Sequence, residues 1–246
     1  MRLSDVTPSE VNALFREAAA MKGQPTVEGM AQNFTELLYK RFEESIVLSR
    51  VFATIPLGQL PSHDRDFVNR LSASVGVSQQ LKDDTTILSL LGTSGAAPEW
   101  NDRHTSAGHM GIPLVSGKFV ESIPMVSRLL KEIGVDLGWI ENWKTHIVSK
   151  GFLSKSTGMF YVEDARIAED QDKRKIIASQ DFVSSHGVRT VFGFGSGFHS
   201  TATLLILITF TRETCAYSTV RPLIKVMEGF KKAVMEHVRN TRFFLE

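Results

Sequence analysis

The chain has 246 residues, a formal charge of +1 and one cysteine. That length can bury a substantial core, in one large domain or two small ones. The near-neutral charge offers no electrostatic case for nucleic acid or an anionic membrane, and the lone Cys215 excludes an internal disulfide framework and fits a reducing compartment.

Apolar content of 42% and charged content of 22% are those of an ordinary soluble globular protein. Met1-Arg2-Leu3-Ser4-Asp5 has no apolar stretch, which argues against a secretory signal. The longest apolar run, around Leu204 to Ile208, is about half of the roughly 20 residues a membrane helix needs. A cytoplasmic location is therefore expected. Leu245-Glu246 has the form of an expression-vector scar, in which case the natural chain continues past Phe244.

In chain order, Thr7-Pro8-Ser9-Glu10 signals a helix start, with Thr7 as N-cap, Pro8 in the first turn and Glu10 completing a capping box. This helix should end near Gly23-Gln24-Pro25. Thr26 caps a second helix through Phe42, with Val27, Met30, Phe34, Leu37, Leu38 and Phe42 on one stripe. Ser45 to Leu57 reads as a strand, Ser62 to about Val75 as a helix and Thr85 to Leu91 as a second strand. Gly92 to Gly111 reads as an irregular polar loop. Val120 to Ile133 reads as a helix with Pro124 near its first turn, and Val135 to Ile140 as a short strand; Lys144 to Thr157 is ambiguous.

Met159 to Val162 reads as a strand, Ala165 to Lys175 as a charged surface excursion and Gln180 to His186 as a brief helix. Val188 to Phe194 and Thr201 to Phe210 read as two long strands joined at Gly195-Ser196-Gly197, a hairpin signal. The second has the unbroken apolar pattern of a strand buried on both faces. A last helix starts at Pro222 and runs to about Arg242. Its Leu223, Met227, Phe230, Val234 and His237 or Val238 form an a/d-like seam, available to the protein's own sheet or to a twin helix in a dimer.

This order of helices and strands resembles the GAF/PAS class of sensory domains. The resemblance is more specific at Trp100-Asn101-Asp102-Arg103 with Ser106-Ala107-Gly108-His109 and Ile112-Pro113-Leu114. It continues at Phe160-Tyr161-Val162-Glu163-Asp164-Ala165, at Gln180-Asp181-Phe182-Val183 and from Gly187 to Gly195. These stretches are similar to the GAF-like input region ahead of PAS and histidine-kinase modules in some bacterial signalling proteins. The implied fold is α/β (α+β), a GAF/PAS-like central antiparallel sheet flanked by helices. The implied organisation is an N-terminal helical extension at 1–25, a sensory domain at 26–221 and a C-terminal exit or dimerisation helix at 222–244, with 245–246 as the scar. The cyclic-nucleotide-binding pattern, the bilin-linking cysteine and the cysteines of methionine sulfoxide reductases all lack counterparts, so the resemblance implies a ligand without identifying it, and any cofactor is left unknown.

Candidate binding residues gather on the mid-chain loop: Trp100 for stacking, Arg103 for an anion, and His104, Ser106 and His109. His104 and His109 are also a candidate metal pair, although no cysteine completes the set. Equally, the loop's polar side chains can serve only to cap backbone groups. In a GAF-like fold Tyr161, Phe192 and Phe194 would wall the cavity; otherwise they are core. Gly193-x-Gly195-x-Gly197 is followed by a β-branched run, not by the helix a phosphate loop needs. His186 reads as a helix C-cap, and Cys215 as a buried thiol or a redox-sensitive one.

The leading expectation is a non-enzymatic bacterial signal-sensing domain that binds a small molecule between the sheet and the segment from Gly92 to Leu114. It would relay through its last helix to a homodimer partner or an attached output module such as a histidine kinase. A dimerisation scaffold with a filled cavity is the alternative, and a metal-dependent enzyme using His104 and His109 is a third reading.

Overall fold

Among the described residues every β-strand is antiparallel to its neighbours, and the order of the six defines the architecture. The computed structural model describes residues 1–106, 109–142, 157–198 and 201–245. The strands are β1 (Ile46–Pro56), β2 (Thr86–Gly95), β3 (Gly111–Pro113), β4 (Gly158–Val162), β5 (Val191–Gly197) and β6 (Leu204–Thr211), arranged in space as β3-β2-β1-β6-β5-β4. The first and last long strands are thus central neighbours. The expected mixed α/β fold with a central antiparallel sheet and a long C-terminal helix is what the chain forms.

The helices follow local chemistry. In α1 (Pro8–Ala19) the Thr7 side chain accepts from the Glu10 backbone N–H and the Glu10 carboxylate accepts from Thr7 in return, so the capping box is complete. In α2 (Val27–Arg41) the Thr26 hydroxyl accepts from Gly29. Two further N–H groups of its first turn donate to main-chain carbonyls near the C-terminus, Val27 to Arg242 and Glu28 to Phe243. The other α-helices among the described residues are α3 (Ser62–Ser74), α4 (Gly117–Glu121), α5 (Pro124–Glu132), α6 (Gln180–Ser185), α7 (Tyr217–Val220) and α8 (Ile224–Arg239).

Both faces of the sheet are covered. On one, α2 and α8 lie over Val51, Ala53, Leu205, Leu207, Phe192 and Phe194, and α1 packs along α8. The Phe34 and Phe230 rings stack at 4.3 Å in this layer. On the other, α4, α5, α6 and the connecting segments cover Leu48, Phe52, Leu88, Ile206 and Ile208. The apolar run of β6 is therefore shared between two cores by simple alternation.

Several boundaries differ from those expected from sequence. Gly195, Ser196 and Gly197 do not form the turn: they pair with Ile206, Leu205 and Leu204 inside the ladder, and the connection lies beyond Gly197. Their smallness serves packing instead. A Cβ on Gly195 would stand 2.5 Å from Ile133 Cδ1, and one on Gly158 2.4 Å from Ile133 Cα, so the end of α5 rests directly on β4 and β5. Val120 to Ile133 is two helices rather than one, because Pro124 has no N–H to continue the ladder and starts a new helix at its first position. The segment read as a strand at Val135 to Ile140 is instead covered by a 3-10 helix at Leu137–Asn142.

β2 runs on to Gly95, so the polar loop is shorter than expected, and the final helix begins at Ile224 after a 3-10 turn holding Pro222. The stretch from Lys144 to Ser156, together with Gly108, His199 and Glu246, lies outside the described residues. Among the described residues, no helix is long and apolar enough to cross a membrane.

Candidate functional site

A cavity of about 300 Å³ lies on the sheet face opposite α2 and α8. Alternate residues of β1 (Leu48, Arg50 and Phe52) and of β6 (Ile208 and Phe210) form its floor. Three separate segments wall it: Trp100 and His109 from the mid-chain loop with Ile112 of β3, Ile123 to Val126 and Leu129 around α5, and Ile176 to Ser179 with Phe182 before and within α6. The lining is almost wholly apolar, and Arg50 and His109 are its ionisable members.

The loop wall is held by hydrogen bonds to the rest of the fold. The Asn101 side-chain oxygen accepts from Gly95 N (2.9 Å) and the Ser94 hydroxyl (3.1 Å), while Gln32 Nε2 donates to the carbonyls of Thr93 (3.1 Å) and Asn101 (3.2 Å). Asp102 accepts from the His104 N–H at 2.9 Å. Trp100 packs edge-on against Phe182 at 5.6 Å and His186 at 4.6 Å. His186 is also the C-cap of α6, as its position before Gly187 suggests.

Arg50 is the unusual group. Its Nη2 donates to Ser106 Oγ at 3.0 Å, its Nε has no hydrogen-bond partner, and no aspartate or glutamate is among the described residues lining the cavity. Burial drives its pKa down to about 10. His109 is solvent-exposed at its surface, yet desolvation by the surrounding protein and then the Arg50 charge hold its pKa below the ordinary imidazole value.

Of the eight residues singled out from sequence, Trp100 and His109 line the cavity and Ser106 supports Arg50. The others are placed elsewhere. Arg103 is buried between two carboxylates, Glu28 and, at 2.7 Å, Asp64, with its guanidinium over the Phe244 ring, so it is not free for an anion. His104 stands beside Glu28 at 3.5 Å and near His63, on this same ion-pair cluster and not with His109. Phe192 and Phe194 point into the core under α2 and α8, because their register on β5 puts them on the opposite sheet face. Tyr161 shares that face and its hydroxyl donates to the Cys215 carbonyl at 2.7 Å.

His63, Asp64 and His104 offer ligand atoms within 4.8 Å of one another. The other Asp64 oxygen, however, is held by the Arg103 guanidinium, whose fixed positive charge opposes a cation there.

Sequence reasoning missed Arg50, Phe182 and the wall made by α5 and residues 176–179. Arg50 did leave a signal: it is the single charge inside Ile46–Pro56, and a charge in a buried strand is informative whereas an apolar residue there is not. The α5 wall left none, since its approach depends on glycines in distant strands. Compared with known proteins, the chain matches no family model and no curated protein sequence.

Proposed function

We propose that this protein is a GAF-like sensory domain that binds a small molecule in the cavity above β1 and β6 and reports its presence through α8. The observation that carries this reading is an apolar, partly open cavity walled by three separate segments that converge on one patch of sheet. Concave, mostly apolar sites with few polar groups are the usual form of small-molecule pockets, and about 300 Å³ is at the small end of their range. The guest is therefore a small molecule with a largely apolar body.

The sheet itself links the cavity to α8. Ile208 and Phe210 touch the cavity, while their neighbours Leu207 and Thr209 border Leu223 and Val226 at the start of α8. A guest that displaces β6 by a fraction of an ångström moves both layers, provided it binds two arrangements of the helix with different affinity. In this reading the protein acts in the cytoplasm, pairs as a homodimer and passes the signal to an output module such as a histidine kinase. A scaffold with a filled core is disfavoured by the open volume.

A thermal-shift screen of the intact chain against small metabolites, followed by hydrogen exchange on α8, tests the reading. The expected result is stabilisation by at least one chemical class, with altered protection in residues 223–239 when it is bound. A guest that stabilises the protein without changing α8 overturns the relay, and a protein that no small molecule stabilises is a scaffold.

A further inference from the structure

We propose that the cavity takes a small carboxylate with an apolar, ring-sized body, its carboxylate paired with the Arg50 guanidinium. The inference rests on the small-molecule reading above and names the class of guest. Its basis is an imbalance in the site. The strand bearing Arg50 is one of the two central strands of the sheet, flanked by β2 and β6, and Arg50 has Thr93 and Ile208 as its register partners. A guanidinium placed there loses water on most sides and is normally matched by a carboxylate. Arg103 shows that this chain supplies such a match where the role is structural, with Asp64 and Glu28 both in contact.

Among the described residues Arg50 has none. Its protein acceptor is the neutral Ser106 hydroxyl, and Nε lacks even that. The internal segments 107–108, 143–156 and 199–200 contain no aspartate or glutamate in sequence. A guanidinium presents donors in a planar fork that fits two carboxylate oxygens, which makes a carboxylate a better complement than a neutral carbonyl that cancels no charge. The rest of the guest is set by the walls: Phe52, Trp100, Phe182, Phe210 and Met125 offer flat, polarisable apolar surface suited to a ring. His109 lines the same cavity and, charged or neutral, carries a ring N–H that can donate to a guest and no negative charge to repel an anion.

The test is calorimetric titration and thermal melting of the full chain with benzoate, phenylacetate and indole-3-acetate, each against its amide. Wild type, Arg50→Lys and Arg50→Met are compared. The expected result is at least tenfold tighter binding of acids than of matched amides in wild type. Arg50→Met should erase that preference while leaving amide affinity within about twofold, and Arg50→Lys should keep part of it. Ligand-free Arg50→Met should melt no lower than wild type, since it removes a partly buried charge that has no carboxylate partner among the described residues. Amides that bind as tightly as acids, or an acid preference that survives Arg50→Met, overturn the carboxylate assignment and leave the small-molecule reading standing. Failure of both acids and amides to bind at millimolar concentration overturns both. A melting temperature for Arg50→Met well below wild type, with no change in ligand preference, assigns Arg50 to structure and also overturns the proposal.

Discussion

Arg103 and Arg50 put the same functional group to opposite uses, and the difference lies in what surrounds each. Arg103 is enclosed by Asp64 and Glu28, so its charge is spent inside the protein. Removing it with Arg103→Met leaves Asp64, which is 1% exposed, without its cation. Urea unfolding should then show a loss of about 3–5 kcal/mol, the usual cost of breaking a buried pair from one side. Cys215 is equally committed to the interior: burial, with Glu213 next, pushes its thiol up to about 12. At pH 8 it should react with a thiol reagent only after unfolding, which argues against a redox role. Because the folded thiol holds its proton more tightly than the unfolded one, its contribution to stability is present below the ordinary value near 9 and fades as pH rises toward 12.

At the scale of elements, close approach is achieved by removing side chains where two backbones meet. Gly92 leaves no room for a Cβ, which would stand 2.4 Å from the Ala31 carbonyl carbon in α2, and Gly158 does the same under Ile133. Gly158→Ala should cost about 1–3 kcal/mol as the end of α5 is pushed off β4. Since α5 walls the cavity, the same change should also weaken any guest; melting temperature and titration together measure both effects. The α1 capping box and the Thr26 cap of α2 needed only neighbouring residues, and both were legible in the sequence. The glycine series in β5 was legible as a pattern but not in meaning, because glycine suits a turn and a close contact equally well.

Across the whole molecule, the seam of α8 is consumed internally. Met227, Phe230 and Val234 are fully buried, and Phe230 stacks on Phe34 of α2. Phe230→Ala should therefore destabilise the protein by about 3–4 kcal/mol in urea unfolding while leaving its oligomeric state by sedimentation unchanged. A change of oligomeric state in the folded variant would instead place this seam between subunits. A dimer has to use another face of the molecule.

The sequence alone determined the long helices, most of the long strands, the two caps and the apolar stripe of α2. These depend on contacts within a few residues and on the 3.6- and 2-residue periods. The tertiary structure alone decided which sheet face each strand residue joins, which arginine is paired and where the cavity closes. Arg103 meets Asp64 39 residues away and Glu28 75 residues away, and β1 meets β6 across roughly 160. Pairings at such separations are set by the path of the whole chain, and no local pattern around either partner records them.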